Sequence, residues 1–325
     1  MNDIEKIFSL SPTLFFEVAR IVANTSFCVL PQQVFTFKFN NLRLLNSIFS
    51  YIAGEIDCKK LESEINYIER EAINFLKKDD LSKILHNLDM EVIPFCTIVD
   101  RILNSEETPI FPTIYYYVYK KGKRERVEEV LHKIRAFEIE VLSENELEKR
   151  LEIVKLEGKL LGYPECCINE FLDLKKRAIL NNYSLSPEKK TILELLESGL
   201  LNKFHELLEN IDSFEYVYSL FSLNFYPCSI FCKKAIKIGK TCNDHLDKNN
   251  RAYRCGLIFN TFYHIATGYK SYTISKRKDS EYLKKISIYY NNLKPDVQEI
   301  LEASKNVLSD KDFINNFIYK CSKII

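Results

Sequence analysis

The chain has 325 residues, and its 46 Lys and Arg against 45 Asp and Glu leave a net charge of +1, which excludes a surface that is everywhere an electrostatic trap for nucleic acid or anionic membrane. With 46% apolar and 28% charged residues the composition is that of a globular protein of one or two domains. Only eight glycines occur and none forms a G-x-G pair, which excludes the glycine-rich dinucleotide fingerprint, the P-loop and the nucleophile elbow.

In chain order, Met1-Asn2-Asp3 opens without a basic region or a cleavage site, so no signal peptide is expected. No apolar run approaches the ~18 residues of a membrane span. The expectation is a cytoplasmic protein with no membrane partner. Ser11-Pro12 is a cap and first-residue pair for a helix carrying Leu14, Phe15, Val18 and Ile21. Val34–Phe39 reads as a strand, and residues 42–88 as two or three helices. Glu91–Val99, with Pro94 inside it, reads as an edge strand or an irregular segment.

Ile114–Tyr119 is β-rich, Lys120–Arg126 is a basic turn around Gly122, Val127–Phe137 has helical period, and Glu138–Leu142 alternates like a strand. Strand, helix and strand in about thirty residues predict a βαβ unit near 113–142. Ser143 with Glu146 reads as the start of a long helix, and helices follow through most of the remaining chain, including Pro164–Ile179, Pro187–Leu196 and Pro227–Lys237. The fold class is therefore α+β: an N-terminal α/β domain over 1–143 and a mainly helical, cysteine-containing domain over 144–325.

Ten cysteines carry the chemical signal. In a reducing compartment they favour metal ligation, thiol chemistry or burial over disulfides. Cys28, Cys58, Cys96 and Cys321 stand singly and read as buried apolar residues. Tyr163-Pro164-Glu165-Cys166-Cys167 and Tyr226-Pro227-Cys228-Ser229-Ile230-Phe231-Cys232 share a design. In each, Tyr-Pro precedes cysteines placed in an expected first helical turn, where free N–H groups and the helix dipole favour thiolate. Cys228 and Cys232, four apart, are expected on one helical face. Adjacent cysteines point different ways, so three sulfurs form a site more easily than four. Cys242, His245 and Cys255 are then candidates for an additional ligand. A thiolate set with little histidine favours an iron–sulfur centre over zinc, and any catalysis is expected there, as redox or sulfur chemistry or with a metal as Lewis acid. A redox thiol pair without metal is the other chemical reading.

Gly162-Tyr163-Pro164-Glu165-Cys166-Cys167 with Phe171, and Pro227-Cys228-Ser229-x-x-Cys232 with Ala235, resemble the motifs of a family of archaeal and bacterial proteins known as domain of unknown function 483. The resemblance, from about residue 156 to 240, implies that the four cysteines are a shared feature and implies no reaction. A looser similarity is to the cysteine-rich domain of heterodisulfide reductases, in which a Cys-Cys pair and a later C-x-x-C hold an iron–sulfur cluster. Here the later pair is C-x3-C.

The alternative function is a binding module in which the cysteines are structural. Tyr115, Tyr117 and Tyr119 fall on one face of their strand beside Lys120, Lys121, Lys123 and Arg124. Aromatic rings next to a basic turn stack bases and hold phosphates in several RNA-binding modules. A sheet covered on both faces with a solvated loop explains the same residues without RNA.

Overall fold

The computed structural model describes residues 3–31, 35, 37–99, 110–144, 147–181, 185–223, 225–246, 251–274 and 280–304. The chain divides into two compact units, Met1–Leu10 with Ser26–Gly162, and Ser11–Thr25 with the chain from Tyr163 onward. Helix α1 (Asp3–Leu10) belongs to the first, and α2 (Pro12–Val22) to the second.

The first unit is built on a three-stranded antiparallel sheet, β1 (Cys28–Val29), β2 (Met90–Val99) and β3 (Ile110–Lys120), in the order β1-β3-β2. Glu91–Val99 is thus an edge strand, which accommodates Pro94 opposite Tyr116 because an edge residue need not donate to a ladder. Helices α3 (Asn41–Ile52), α4 (Cys58–Leu76) and α5 (Asp80–Asn87) lie between β1 and β2 in sequence. Asn40, Asp57 and Asp79 cap them, accepting from the N–H groups of Arg43, Lys60 and Ser82. Of Val34–Phe39, expected as a strand, residues 34 and 36 lie outside the described residues. Phe35, Phe37, Lys38 and Phe39 have no strand pairing.

The βαβ unit does not form. After β3 the chain makes one long helix, α6 (Arg124–Glu144), and Glu138–Leu142 is its last part. The apolar-charged alternation of Phe137–Val141 imitates a strand. The residues that are buried, Ile134, Glu138, Val141 and Leu142, are instead spaced for a helix face. Glu138, wholly buried, is tolerated there because Arg135 donates to it at 2.7 Å and Thr97 donates as well. Arg135 also reaches Glu69 at 2.9 Å and the Cys96 carbonyl at 2.6 Å, tying α4, β2 and α6 together. Ser143, expected to cap a new helix, lies inside α6, and the next helix is α7 (Leu147–Leu160). Its end turns at Gly162, whose φ of +71° is a left-handed conformation natural to glycine.

The second unit is helical: α2, α8 (Glu165–Asn181), α9 (Pro187–Glu197), α10 (Phe204–Glu209), α11 (Lys233–His245), α12 (Arg251–Ile274), α13 (Glu281–Tyr290) and α14 (Pro295–Ser304). Ser11 caps α2 ahead of Pro12, as the sequence predicts. Helix α12 is its core, burying Tyr253, Cys255, Leu257, Ile258, Phe259, Phe262 and Ile265. Glycine lets neighbours close onto helices: a Cβ on Gly239 of α11 would stand 2.0 Å from the Tyr218 carbonyl oxygen. Among the described residues no helix is long and apolar enough to cross a membrane.

Candidate metal centre

Cys166 and Cys167 are the second and third residues of α8, with the Cys167 N–H bonded to the Pro164 carbonyl at 2.9 Å. Cys228 and Cys232 do not share a helix face. The segment 227–232 is a turn, and α11 begins only at Lys233, with Cys232 as the residue that caps it. The turn competes with a helix because it has better partners. The Cys232 N–H reaches the Ser229 carbonyl at 2.9 Å, and the Ile230 N–H reaches Glu194 Oε2 of α9 at 2.7 Å. Lys190 of α9 donates to the Cys228 carbonyl at 2.7 Å and to Glu170 of α8, fastening the turn to the helix that carries the other two cysteines.

All four sulfurs lie within 4.8 Å of one another. Cys166 to Cys167 is 3.9 Å, Cys166 to Cys232 is 3.9 Å and Cys167 to Cys232 is 3.7 Å. The adjacent cysteines, expected to diverge, therefore converge. The first turn of α8 sets both side chains toward the 228–232 turn. Cys167 is buried and the others are half-buried.

Electrostatics differ sharply among the sulfurs. Burial pushes the Cys167 thiol far up, and the neighbouring sulfurs add to this. Burial likewise raises Cys228, to about 12. Burial opposes ionisation of Cys232 too. There the Ala235 N–H in the first turn of α11 and the surrounding thiols outweigh it and hold the group below its ordinary value.

Behind the sulfurs Cys167 packs with Phe221, Phe225 and Ala235, and Tyr163 covers the cluster. The Tyr163 and Phe225 ring centroids are 4.8 Å apart, and the Arg20 guanidinium of α2 lies 5.0 Å from both the Tyr163 and the Phe221 rings. Ser222 donates to both carboxylate oxygens of Glu17 at 3.0 Å, so its oxygen accepts from the Tyr163 hydroxyl at 3.3 Å. Glu17 also receives the Leu223 N–H at 2.7 Å, and burial raises its carboxyl despite Arg20. Sequence reasoning did not find Glu17, Arg20, Lys190, Glu194 or Ser222. They are distant in sequence and carry no spacing that marks them.

Cys242, His245 and Cys255 do not join the sulfur group. Cys242 is ten residues along α11 from Cys232, ~15 Å at 1.5 Å per residue, and is buried with its sulfur 3.4 Å from Thr25 Oγ1. Cys255 is buried in α12, and His245 is exposed at the end of α11. Of the single cysteines, Cys28 and Cys96 are buried, Cys58 is half-exposed at the start of α4, and Cys321 lies outside the described residues. Tyr115 is half-buried, whereas Tyr117 and Tyr119 are buried with hydroxyls bonded to Glu157 and Glu91. These two rings offer no open face to a base. Lys120, Lys121, Lys123 and Arg124 are exposed, and Arg124 pairs with Glu128 at 2.9 Å.

Fold and site together define an α+β protein, mainly helical, with a four-cysteine group able to hold a metal ion. A family model described as protein of unknown function (DUF483) matches residues 124–254, less than half of the chain but including all four cysteines, and the chain resembles that family there. No curated protein and no solved structure matches.

Proposed function

We propose that Cys166, Cys167, Cys228 and Cys232 hold one tetrahedrally coordinated metal ion that clips the start of α8 to the start of α11. The sulfur spacing carries this reading. A zinc–thiolate bond of ~2.3 Å gives a tetrahedron whose edges are roughly 3.8 Å. The three separations among Cys166, Cys167 and Cys232 are 3.7 to 3.9 Å, and the Cys228 sulfur lies within 4.8 Å of each of them. In an iron–sulfur cluster, inorganic sulfide and more than one iron stand between the cysteines, which spreads them further apart. Spacing thus favours a single ion, zinc first and a lone iron second. The donor set of four thiolates without histidine still suits an iron–sulfur centre, so a cluster is the alternative to a single ion. A four-sulfur tetrahedron leaves no open position, which supports a structural role for the metal over a Lewis-acid one.

The test is the metal and acid-labile sulfide content of anaerobically purified protein beside a Cys228→Ser/Cys232→Ser variant. One equivalent of zinc or iron, without sulfide and lost in the variant, is the expected result. Iron with sulfide replaces the single ion by a cluster. No metal in a folded wild-type protein refutes both and leaves a thiol pair.

A further inference from the structure

The 228–232 turn that supplies two sulfurs also holds a phenylalanine out in solvent. Phe231 is 58% exposed, although its backbone is fixed: its N–H is bonded to Ser229 Oγ at 3.2 Å, and the residues either side of it are bonded to Glu194 and to the Ser229 carbonyl. Its ring lies 5.4 Å from that of the half-buried Tyr216, tilted by 59°. The conformational cost of presenting an aromatic ring to a partner is met in advance.

Helix α11 starts two residues later. Its inner face is Ala235, Gly239 and Cys242, all buried. The opposite face carries Lys233, Lys237 and Lys240, spaced i, i+4 and i+7, with Lys234 beside them. Among the described residues Lys233, Lys234 and Lys237 are exposed and have no carboxylate partner. Lys240 pairs with Glu215, the residue before Tyr216, so the far end of the lysine stripe returns to the aromatic pair. The stripe from Lys233 to Lys240 is ~10 Å long, enough for two or three phosphates.

We propose that Phe231 and Tyr216, with Lys233, Lys234, Lys237 and Lys240, form a binding surface for single-stranded nucleic acid. Phe231 stacks an unpaired base and the lysines of α11 follow the adjoining phosphates. A base has a flat face that matches an exposed ring, and the backbone charge matches the lysine row, of which Lys233, Lys234 and Lys237 have no carboxylate partner among the described residues. An acidic peptide satisfies the lysines and leaves the ring without a matching partner. These residues belong to the second unit and the basic turn at Lys120–Arg124 to the first, and no part of the proposal requires a metal at the cysteines.

The test is fluorescence anisotropy of full-length protein with a short labelled oligouridine, the matching oligothymidine and a polyglutamate peptide. Variants are Phe231→Ala, Lys233→Glu/Lys234→Glu/Lys237→Glu and, as control, Lys123→Glu/Arg124→Glu. Metal content and thermal melting are measured on each to establish that it is folded. Binding is expected to weaken with salt with a logarithmic slope of about −2, at ~0.7 per phosphate for three contacts. The triple reversal is expected to abolish it. Phe231→Ala is expected to lose roughly tenfold with the slope unchanged, and the control to bind as wild type. Preference between the two oligonucleotides decides whether RNA or DNA is the ligand. Absence of oligonucleotide binding, binding that survives the triple reversal, loss confined to the control, or lysine-dependent binding of polyglutamate alone each overturns the proposal.

Discussion

Replacing Gly239 by alanine sets two effects of opposite sign against each other. On an isolated helix the change stabilises by ~1 kcal/mol, because glycine is the poorer helix former. In this fold the new Cβ stands 2.0 Å from the Tyr218 carbonyl oxygen and 2.9 Å from the carbonyl carbon. Ordinary contact begins near 3.4 Å, so the deficit is 3.4 minus 2.0, or 1.4 Å. Both atoms belong to the backbone of the 3-10 segment Glu215–Leu220 and have no rotamer with which to yield. Overpacking of this kind costs about 1–3 kcal/mol, and a backbone clash belongs at the upper end. The net expectation is a loss of about 2 kcal/mol, read as a lower urea midpoint at unchanged m. Gly239 is seven residues from Cys232, ~10 Å along α11. Metal–ligand distances in a formed site stay within ~0.2 Å of their ideal values, so the retreat of α11 is also expected to weaken the proposed metal site. Lys237→Ala, on the exposed face of the same helix, is the control and should stay within ~0.5 kcal/mol of wild type. Wild-type or higher stability of Gly239→Ala refutes the reasoning, because it means that α11 is free to move away from Tyr218 without cost.

Arg135→Ala strands the wholly buried Glu138 and removes the link to Glu69 and the Cys96 carbonyl, and is expected to cost about 3–5 kcal/mol by urea denaturation. Lys190→Met cuts the tie between the Cys228 carbonyl and Glu170 without touching a sulfur, and is expected to weaken metal affinity by roughly 10–100-fold in a chelator competition. His264 is buried against Tyr226, 5.6 Å between ring centroids, and Tyr263, 6.0 Å, and burial pulls it down to about 4 although Glu188 opposes this. The unfolded chain protonates it near pH 6.5, so its contribution is intact above that pH and is lost as the pH falls towards 4, about 3 kcal/mol in all. The difference in stability between wild type and His264→Gln should narrow by that amount across the window. A constant difference means that His264 is not held neutral.

Elements with an unambiguous local code were legible in the sequence. Ser11-Pro12 opens α2, the helix expected from Pro187 is α9, and the Tyr-rich run of β3 pairs with an edge strand that contains a proline. What misled was a conflict between periods. Phe137-Glu138-Ile139-Glu140-Val141 alternates, and a buried glutamate is hard to credit in a helix until its arginine is known. That arginine is three residues away, but its value depends on Glu69 of α4 and the Cys96 carbonyl of β2, which only the folded chain brings near. The two-residue strand β1 is too short to carry a period at all.

The site divides along the same line. The identities of Cys166, Cys167, Cys228 and Cys232 stand out from the Tyr-Pro pairs that precede them, and the four sulfurs do meet. Their local geometry was not legible, because Pro227 is as good a start for a helix as Pro164 is a lead into one. The choice is made by Lys190 and Glu194, one turn apart on α9. One engages the Cys228 carbonyl and the other the Ile230 N–H. A helix starting at Pro227 would pair the Cys228 carbonyl with the Cys232 N–H and the Ile230 N–H with the Tyr226 carbonyl, both neutral hydrogen bonds. The turn gives each a charged partner instead, and charge-assisted hydrogen bonds are about twice as strong as neutral ones. The turn also lets Cys228 approach from outside α11 while Cys232 stays at its mouth. That is how a C-x3-C pair and a Cys-Cys pair bring four sulfurs within 4.8 Å.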